Sequence, residues 1–302
     1  ELANQVTFFN RAALQSVLYE VPPGGTLLID ASNADYIDPD VIDLLSDFQK
    51  TGAPARWVQL SLIGFGNRYP NLHDEIRFVE HSSHEVQQAT SPPEVLAMLL
   101  EGNSRFRVGE PLKRSMERQR TATATGQHPL AVILSCIDSR SPAEAIFDLG
   151  LGDVLSVRVA GNITTEEVIG SIEFAAIVAG AKLVVVVGHT RCGAIESSLT
   201  DYCCPDQSLA PECVHAKGIL REVAKVVGED DCRGVAALKS ESHQEIVDSV
   251  ARRNVVRVVR KLLEGSKAVT AQVKKQRLGV VGMMYDVVSG EVEVIDETRH
   301  GV

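Results

Sequence analysis

Short apolar runs alternate along this chain with stretches whose apolar positions recur every three to four residues, the rhythm of strands and helices taken in turn. Val6-Thr7-Phe8 reads as a short strand, and residues 10–18 as a helix with Asn10 as its N-cap. Pro22-Pro23-Gly24-Gly25 stops that helix. Thr26-Leu27-Leu28-Ile29-Asp30 is a buried strand, followed by a polar loop from Ala31 to Ile37. Asp38 then caps a helix carrying Val41, Ile42, Leu44, Leu45 and Phe48, with Pro39 at its first position. Residues 57–63, Trp57 to Ile63, form the next strand. The polar, proline-containing stretch 82–93 predicts a boundary. Beyond it, Pro93-Glu94 opens a helix with Val95, Leu96, Met98, Leu99 and Leu100. Strands are predicted over 130–134, 154–159, 182–187 and 279–284, and helices over 168–179 and 243–263. Alternation of this kind implies mostly parallel sheets flanked by helices. The expected fold class is α/β, in two domains: a small one over 1–86 and a larger one over 94–302.

Composition narrows the picture. A chain of 302 residues is long for one core and comfortable for two. Hydrophobic content of 44% and charged content of 23% are those of a folded soluble protein. A net charge of -10 argues against sequence-independent nucleic-acid binding, which needs a basic face, and against electrostatic docking to anionic lipid. Apolar runs such as Leu183–Val187 have strand length, well below the ~18 residues that suggest a membrane span. The chain begins at Glu1 rather than Met, so a longer protein is expected. Six cysteines in a chain of this size do not suggest a secreted disulfide framework, and a reducing cytosol is expected. Cys203, Cys204, Cys213 and Cys232 match no usual metal-ligand spacing and read as ordinary loop or part-buried thiols.

The candidate chemistry lies at two strand ends. The strand ending at Leu134 delivers Cys136 in Ser135-Cys136-Ile137-Asp138-Ser139-Arg140. The strand ending at Val187 delivers His189 and Cys192 in Gly188-His189-Thr190-Arg191-Cys192-Gly193. Open α/β sheets place their sites at such carboxyl ends. Two thiols and one imidazole leave a fourth position open, the pattern of a catalytic zinc; a structural zinc is usually closed by four protein ligands. Zinc lowers the pKa of a bound water to ~7, so activated-water chemistry at neutral pH follows.

Four runs make the larger domain resemble the β-class carbonic anhydrases: Glu101-Gly102-Asn103-Ser104-Arg105-Phe106, Cys136-Ile137-Asp138-Ser139-Arg140, Val157-Arg158-Val159-Ala160-Gly161-Asn162, and Gly188-His189-Thr190-Arg191-Cys192-Gly193-Ala194. The resemblance implies zinc held by Cys136, His189 and Cys192, hydration of CO2 to bicarbonate and a proton, and a homodimer or higher assembly. It implies a catalytic dyad of Asp138 and Arg140, whose guanidinium can hold the carboxylate bidentately. It places Gln127, Phe174 and the Gly193 N–H at the substrate. The chain departs from one subtype of the family: Ile133 stands where that subtype carries a tryptophan of a second bicarbonate site. His128, His215 and His243 are lone histidines that could shuttle protons.

Residues 1–86 resemble a STAS domain, through Leu28-Ile29-Asp30-Ala31-Ser32 and Tyr36-Ile37-Asp38. Ser32 sits where some STAS proteins are phosphorylated, although a Ser-Asn loop before a helix cap explains it as well. The pair of domains resembles the cytoplasmic tail of a SulP-type anion transporter. That implies a covalently attached membrane domain outside this chain and a place at the inner face of a membrane. The alternative reading is a non-catalytic zinc- and bicarbonate-binding module that regulates the transporter.

Overall fold

The computed structural model describes residues 2–23, 25–69, 72, 82–112, 114, 116–207, 212–237 and 240–302. Contacts divide the chain into two compact units, Glu1–Thr90 with Leu112–Arg114, and Ser91–Pro111 with Ser115–Val302.

The first unit runs β1 (Gln5–Val6), α1 (Arg11–Glu20), β2 (Thr26–Asp30), β3 (Tyr36–Ile37), α2 (Pro39–Asp47), α3 (Ala53–Ala55), β4 (Gln59–Ile63) and α4 (His84–Ala89). β1 pairs with β3, and β2 with β4, both in parallel. Leu18, Ile29, Val41, Leu45, Phe48 and Leu62 fill the core beside them. The Asp38 carboxylate accepts from the Asp40 N–H at 3.0 Å, as its N-cap position predicts. Two expectations are corrected here. The Asn10 side chain does not cap α1; its Oδ1 accepts from the Thr7 N–H, closing the turn before the helix. Trp57 lies outside the strand, at φ 56° and 83% exposed, and β4 starts at Gln59. The division between the units falls inside the stretch 82–93, between Thr90 and Ser91, and there Ser83 caps α4 and Val86 is buried.

The second unit opens with α5 (Pro92–Val108), whose start is fixed by a reciprocal Ser91–Glu94 capping box. There follow α6 (Met116–Ala122), β5 (Ala131–Ser135), α7 (Ala143–Ile146), β6 (Val154–Arg158), α8 (Glu166–Glu173), β7 (Leu183–His189), α9 (Gly193–Cys203), α10 (Ala216–Ala224) and α11 (Glu229–Ala237). α12 (Ser240–Gly265), α13 (Lys267–Lys274), β8 (Gly279–Tyr285) and β9 (Val292–His300) complete it. The sheet order is β6-β5-β7-β8-β9, with every pair parallel except β8–β9. β5, β7 and β8 are buried along their whole length, as the strands inside a sheet covered on both faces are.

α12 lies against this sheet through Val247, Val250, Val255 and Val258. Its close approach depends on two glycines. A Cβ on Gly188 would meet Val255 Cγ2 at 2.5 Å, and one on Gly282 would meet Val255 Cγ1 at 2.6 Å. From β5 the chain crosses to β6 on one side and then to β7 on the other. The sheet therefore reverses its strand order beside β5, and a crevice opens at the carboxyl ends of β5 and β7.

One cysteine expectation is overturned. Cys203 and Cys232 are not free thiols but form a disulfide, with their Cα atoms 5.0 Å apart. The pairing joins the end of α9 to α11, two helices that come into contact only through the tertiary fold. Their separation of 29 residues carried no signal of it.

Candidate metal centre

Strand register brings the cysteine and histidine clusters together. Leu134 pairs with Val186, so β5 and β7 end side by side. Cys136 follows the last residue of β5, His189 is the last residue of β7, and Cys192 immediately precedes α9. All three side chains are buried. Their ligand atoms lie within 4.8 Å of one another, and the two Sγ atoms are 3.9 Å apart. The His189 ring is oriented by Nδ1, 2.9 Å from the Thr190 carbonyl, which makes Nδ1 the N–H donor. Nε2 therefore carries the lone pair, faces the thiols, and is buried without a hydrogen-bond partner. A buried acceptor left unpaired costs stability unless something binds it. A borderline metal with thiolate and imidazole ligands fits this donor set.

Electrostatics favour an ionised sulfur at Cys136. A hydrogen bond from Cys192 holds the Cys136 thiol down to about 4 against the opposing effect of burial, with further help from His189. The same contact, together with burial, pushes Cys192 up. Burial opposes charge on His189, yet its contacts with Cys136 and Thr190 outweigh that and raise it.

Asp138 and Arg140 stand at the rim. Arg140 Nε donates to Asp138 Oδ1 at 2.9 Å and Nη2 to Oδ2 at 2.8 Å, while the Arg140 N–H also reaches Oδ1. The fork holds the Asp138 carboxyl at about 2, well below the usual carboxylate range. Asp138 Oδ2 lies 3.9 Å from His189 Nε2, within reach of a ligand seated on the three donors. Arg158 ties the loop down from β6, donating to the Cys136 carbonyl at 3.0 Å and the Asp138 carbonyl at 2.6 Å.

The remaining predicted residues are spread more widely. Gly193 opens α9 directly after Cys192, so its N–H belongs to the unpaired first turn of that helix. Gln127 is exposed in the loop before β5 and lines a pocket with Arg120, Thr123 and Gly152. Phe174, 58% exposed at the end of α8, lines a different pocket with Leu155, Arg158 and Glu167. His243 faces Glu196 at 3.5 Å, on α9. Two supports went unseen in the sequence. Asp248 accepts from the Arg191 N–H at 2.8 Å, and Asp286 accepts from the Thr190 hydroxyl at 3.3 Å. Both lie far along the chain from the loop they hold, and neither sits in a motif.

Among the described residues, no helix is long and apolar enough to cross a membrane. The family model described as carbonic anhydrase matches residues 131–292, a span that holds both ligand clusters. Carbonic anhydrase 2 of Mycobacterium tuberculosis is 35% identical over 208 residues, which cover 68% of this chain and 94% of that protein. The carbonic anhydrase of Mycolicibacterium smegmatis is 34% identical over 206 residues, with the same shares covered. Among solved structures, the β-carbonic anhydrase CafA of Aspergillus fumigatus superposes with a TM-score of 0.51 at 27% identity, covering 60% of this chain and 81% of that one. The agreement of site, family model and relatives leads to one conclusion: the chain belongs to the carbonic anhydrase family, as an enzyme of its β class.

Proposed function

We propose that Cys136, His189 and Cys192 hold zinc and that the site hydrates CO2 to bicarbonate and a proton. The observation that carries this reading is the unpaired, buried His189 Nε2 facing two buried thiols beside the Asp138–Arg140 fork. When bound, zinc supplies Lewis acidity and brings the pKa of a coordinated water to ~7. The protein's own groups do the rest. Asp138, kept ionised by Arg140, accepts a hydrogen bond from the incoming nucleophile and so orients its lone pair toward CO2, while the proton of the overall reaction leaves to solvent. Arg140 holds that carboxylate in one direction through two parallel hydrogen bonds. The Gly193 N–H, at the positive end of α9, offers a donor to the negative oxygen that develops on CO2.

Gln127 and Phe174 are assigned to the substrate pocket of a second copy in a homodimer or larger assembly. Phe174, Ile177 and Val178 support this assignment as an exposed apolar group at the end of α8. The first unit is assigned as a STAS-like domain over 1–86, preceding an anhydrase domain over 94–302. Its parallel β2–β4 pair and the Asp38-capped α2 support that assignment. In this reading it tethers the enzyme to a SulP-type anion transporter at the cytoplasmic face of a membrane and delivers bicarbonate there.

The test is stopped-flow CO2 hydration between about pH 6.5 and 9, with zinc measured on the same sample. Fast turnover at one zinc per chain is the expected result. Full zinc with no turnover at any pH would leave a bicarbonate-binding module as the better account, although such a module has no use for the Asp138–Arg140 fork.

A further inference from the structure

Arg191 breaks a local rule beside the metal centre. Its φ is 56°, in the left-handed region that favours glycine. A residue with a Cβ stays there only when its surroundings hold it. Two hydrogen bonds do so here. The Arg191 N–H donates to Asp248 Oδ1 at 2.8 Å, and the Arg191 carbonyl accepts from Arg140 Nη2 at 3.1 Å. Asp248 is itself anchored. Gln244 Nε2, one helical turn earlier on α12, donates to the same Oδ1 at 2.8 Å. The helix is seated by buried Val247 and Val250, and Asn254 Nδ2 donates to the Gly161 carbonyl at 2.9 Å. Arg140 is thus gripped from two sides, by the Asp138 carboxylate and by a carbonyl whose direction depends on the turn at Arg191. A right-handed Arg191 would re-aim both its N–H and its carbonyl.

We propose that Asp248 is a positioning residue for the anhydrase reaction: by holding Arg191 left-handed it keeps the Arg191 carbonyl on Arg140, and so keeps the Arg140 guanidinium locked against Asp138. This rests on the assignment of Asp138 and Arg140 to the reaction. Asp248 touches neither of them and acts only through the backbone of Arg191.

Glycine adopts a positive φ without help, and this gives a test that plain helix packing would not pass. Full-length Asp248→Ala, Asp248→Asn and the double variant Asp248→Ala with Arg191→Gly are compared for kcat, KM, zinc content and the visible spectrum of the cobalt-loaded protein. Asp248→Ala is expected to lower kcat about tenfold, with KM little changed and metal retained. Asp248→Asn, which keeps an oxygen acceptor, should lose no more than about threefold. Adding Arg191→Gly to Asp248→Ala should restore about half of the lost kcat and return the cobalt spectrum toward that of the parent. An unimpaired Asp248→Ala overturns the inference, because the turn then holds itself. A loss that Arg191→Gly does not relieve also overturns it, because Asp248 then acts through the packing of α12. Arg140→Ala run alongside separates the two readings. If it is inactive while Asp248→Ala is unimpaired, only the positioning role falls. If it turns over at the parental rate, the dyad assignment falls and this role with it.

Discussion

Asp138 lies close to the three donors yet is held away from them. Its Oδ2 is 3.9 Å from His189 Nε2, while both its oxygens are engaged by Arg140. A residue in that position should matter for turnover and little for metal retention. Asp138→Asn is therefore expected to keep one zinc per chain while losing at least about a hundredfold in kcat, the scale of a lost catalytic carboxylate. Metal analysis beside stopped-flow rates checks both halves; loss of zinc with activity would make Asp138 a ligand instead. The fork also sets a pH expectation. With its carboxyl held at about 2, Asp138 stays ionised across the working range, so a change of rate near neutral pH belongs to another group. At this scale the sequence was informative where chemistry is local. Cys136, Asp138 and Arg140 share one short run, and His189 and Cys192 another, so motif spacing revealed them. Asp248 could not be found that way, because it meets Arg191 across 57 residues by helix packing.

Helices α10 and α12 are joined by a charge cluster built around one carboxylate. Glu222 accepts from Arg257 and Lys261, each at 3.0 Å, and pairs with Lys225 just past the end of its own helix. Burial alone would raise its carboxyl, but the three cations outweigh burial and hold it at about 2. The folded value lies below the ordinary glutamate value of 4.5, so the contribution to stability is present above about pH 4.5 and is lost as pH falls toward about 2. Glu222→Gln is expected to cost about 2 kcal/mol at neutral pH, with the difference from the parent shrinking over that acid window. Urea unfolding at pH 7 and pH 3 checks this, and a difference independent of pH would remove the ion pairs from the account. Element prediction succeeded for the continuous apolar strands β5, β7 and β8, whose burial on both faces leaves only one reading. It failed for β9. That strand buries Val292, Ile295 and Thr298, a spacing of three, because the ladder with β8 shifts register between Val280 and Gly282. A shifted ladder has no period-two pattern to read.

Across the whole molecule, every group assigned to the reaction falls in the second unit, and so does the matched span 131–292. The relatives from Mycobacterium and Mycolicibacterium are covered over 94% of their length while occupying only 68% of this chain. A complete anhydrase therefore fits without the first unit. The sequence conveyed that division through the polar, proline-containing stretch near residue 90 but hid the Cys203–Cys232 bridge, which depends on helix contacts that spacing does not encode. The start of the second unit is also locally self-sufficient. Ser91 and Glu94 cap α5 reciprocally, and Val95, Leu96 and Leu99 are buried within a few turns of that cap. A chain beginning at Ser91 keeps the cap, the five-stranded sheet and all three donors. It is expected to fold, to bind one zinc and to hydrate CO2 within about twofold of the parental kcat. Circular dichroism, zinc analysis and stopped-flow rates on the two chains decide the matter. A folded, zinc-loaded chain slower by about tenfold or more would show that the first unit takes part in turnover, and the tethering role assigned to it would have to become a catalytic one.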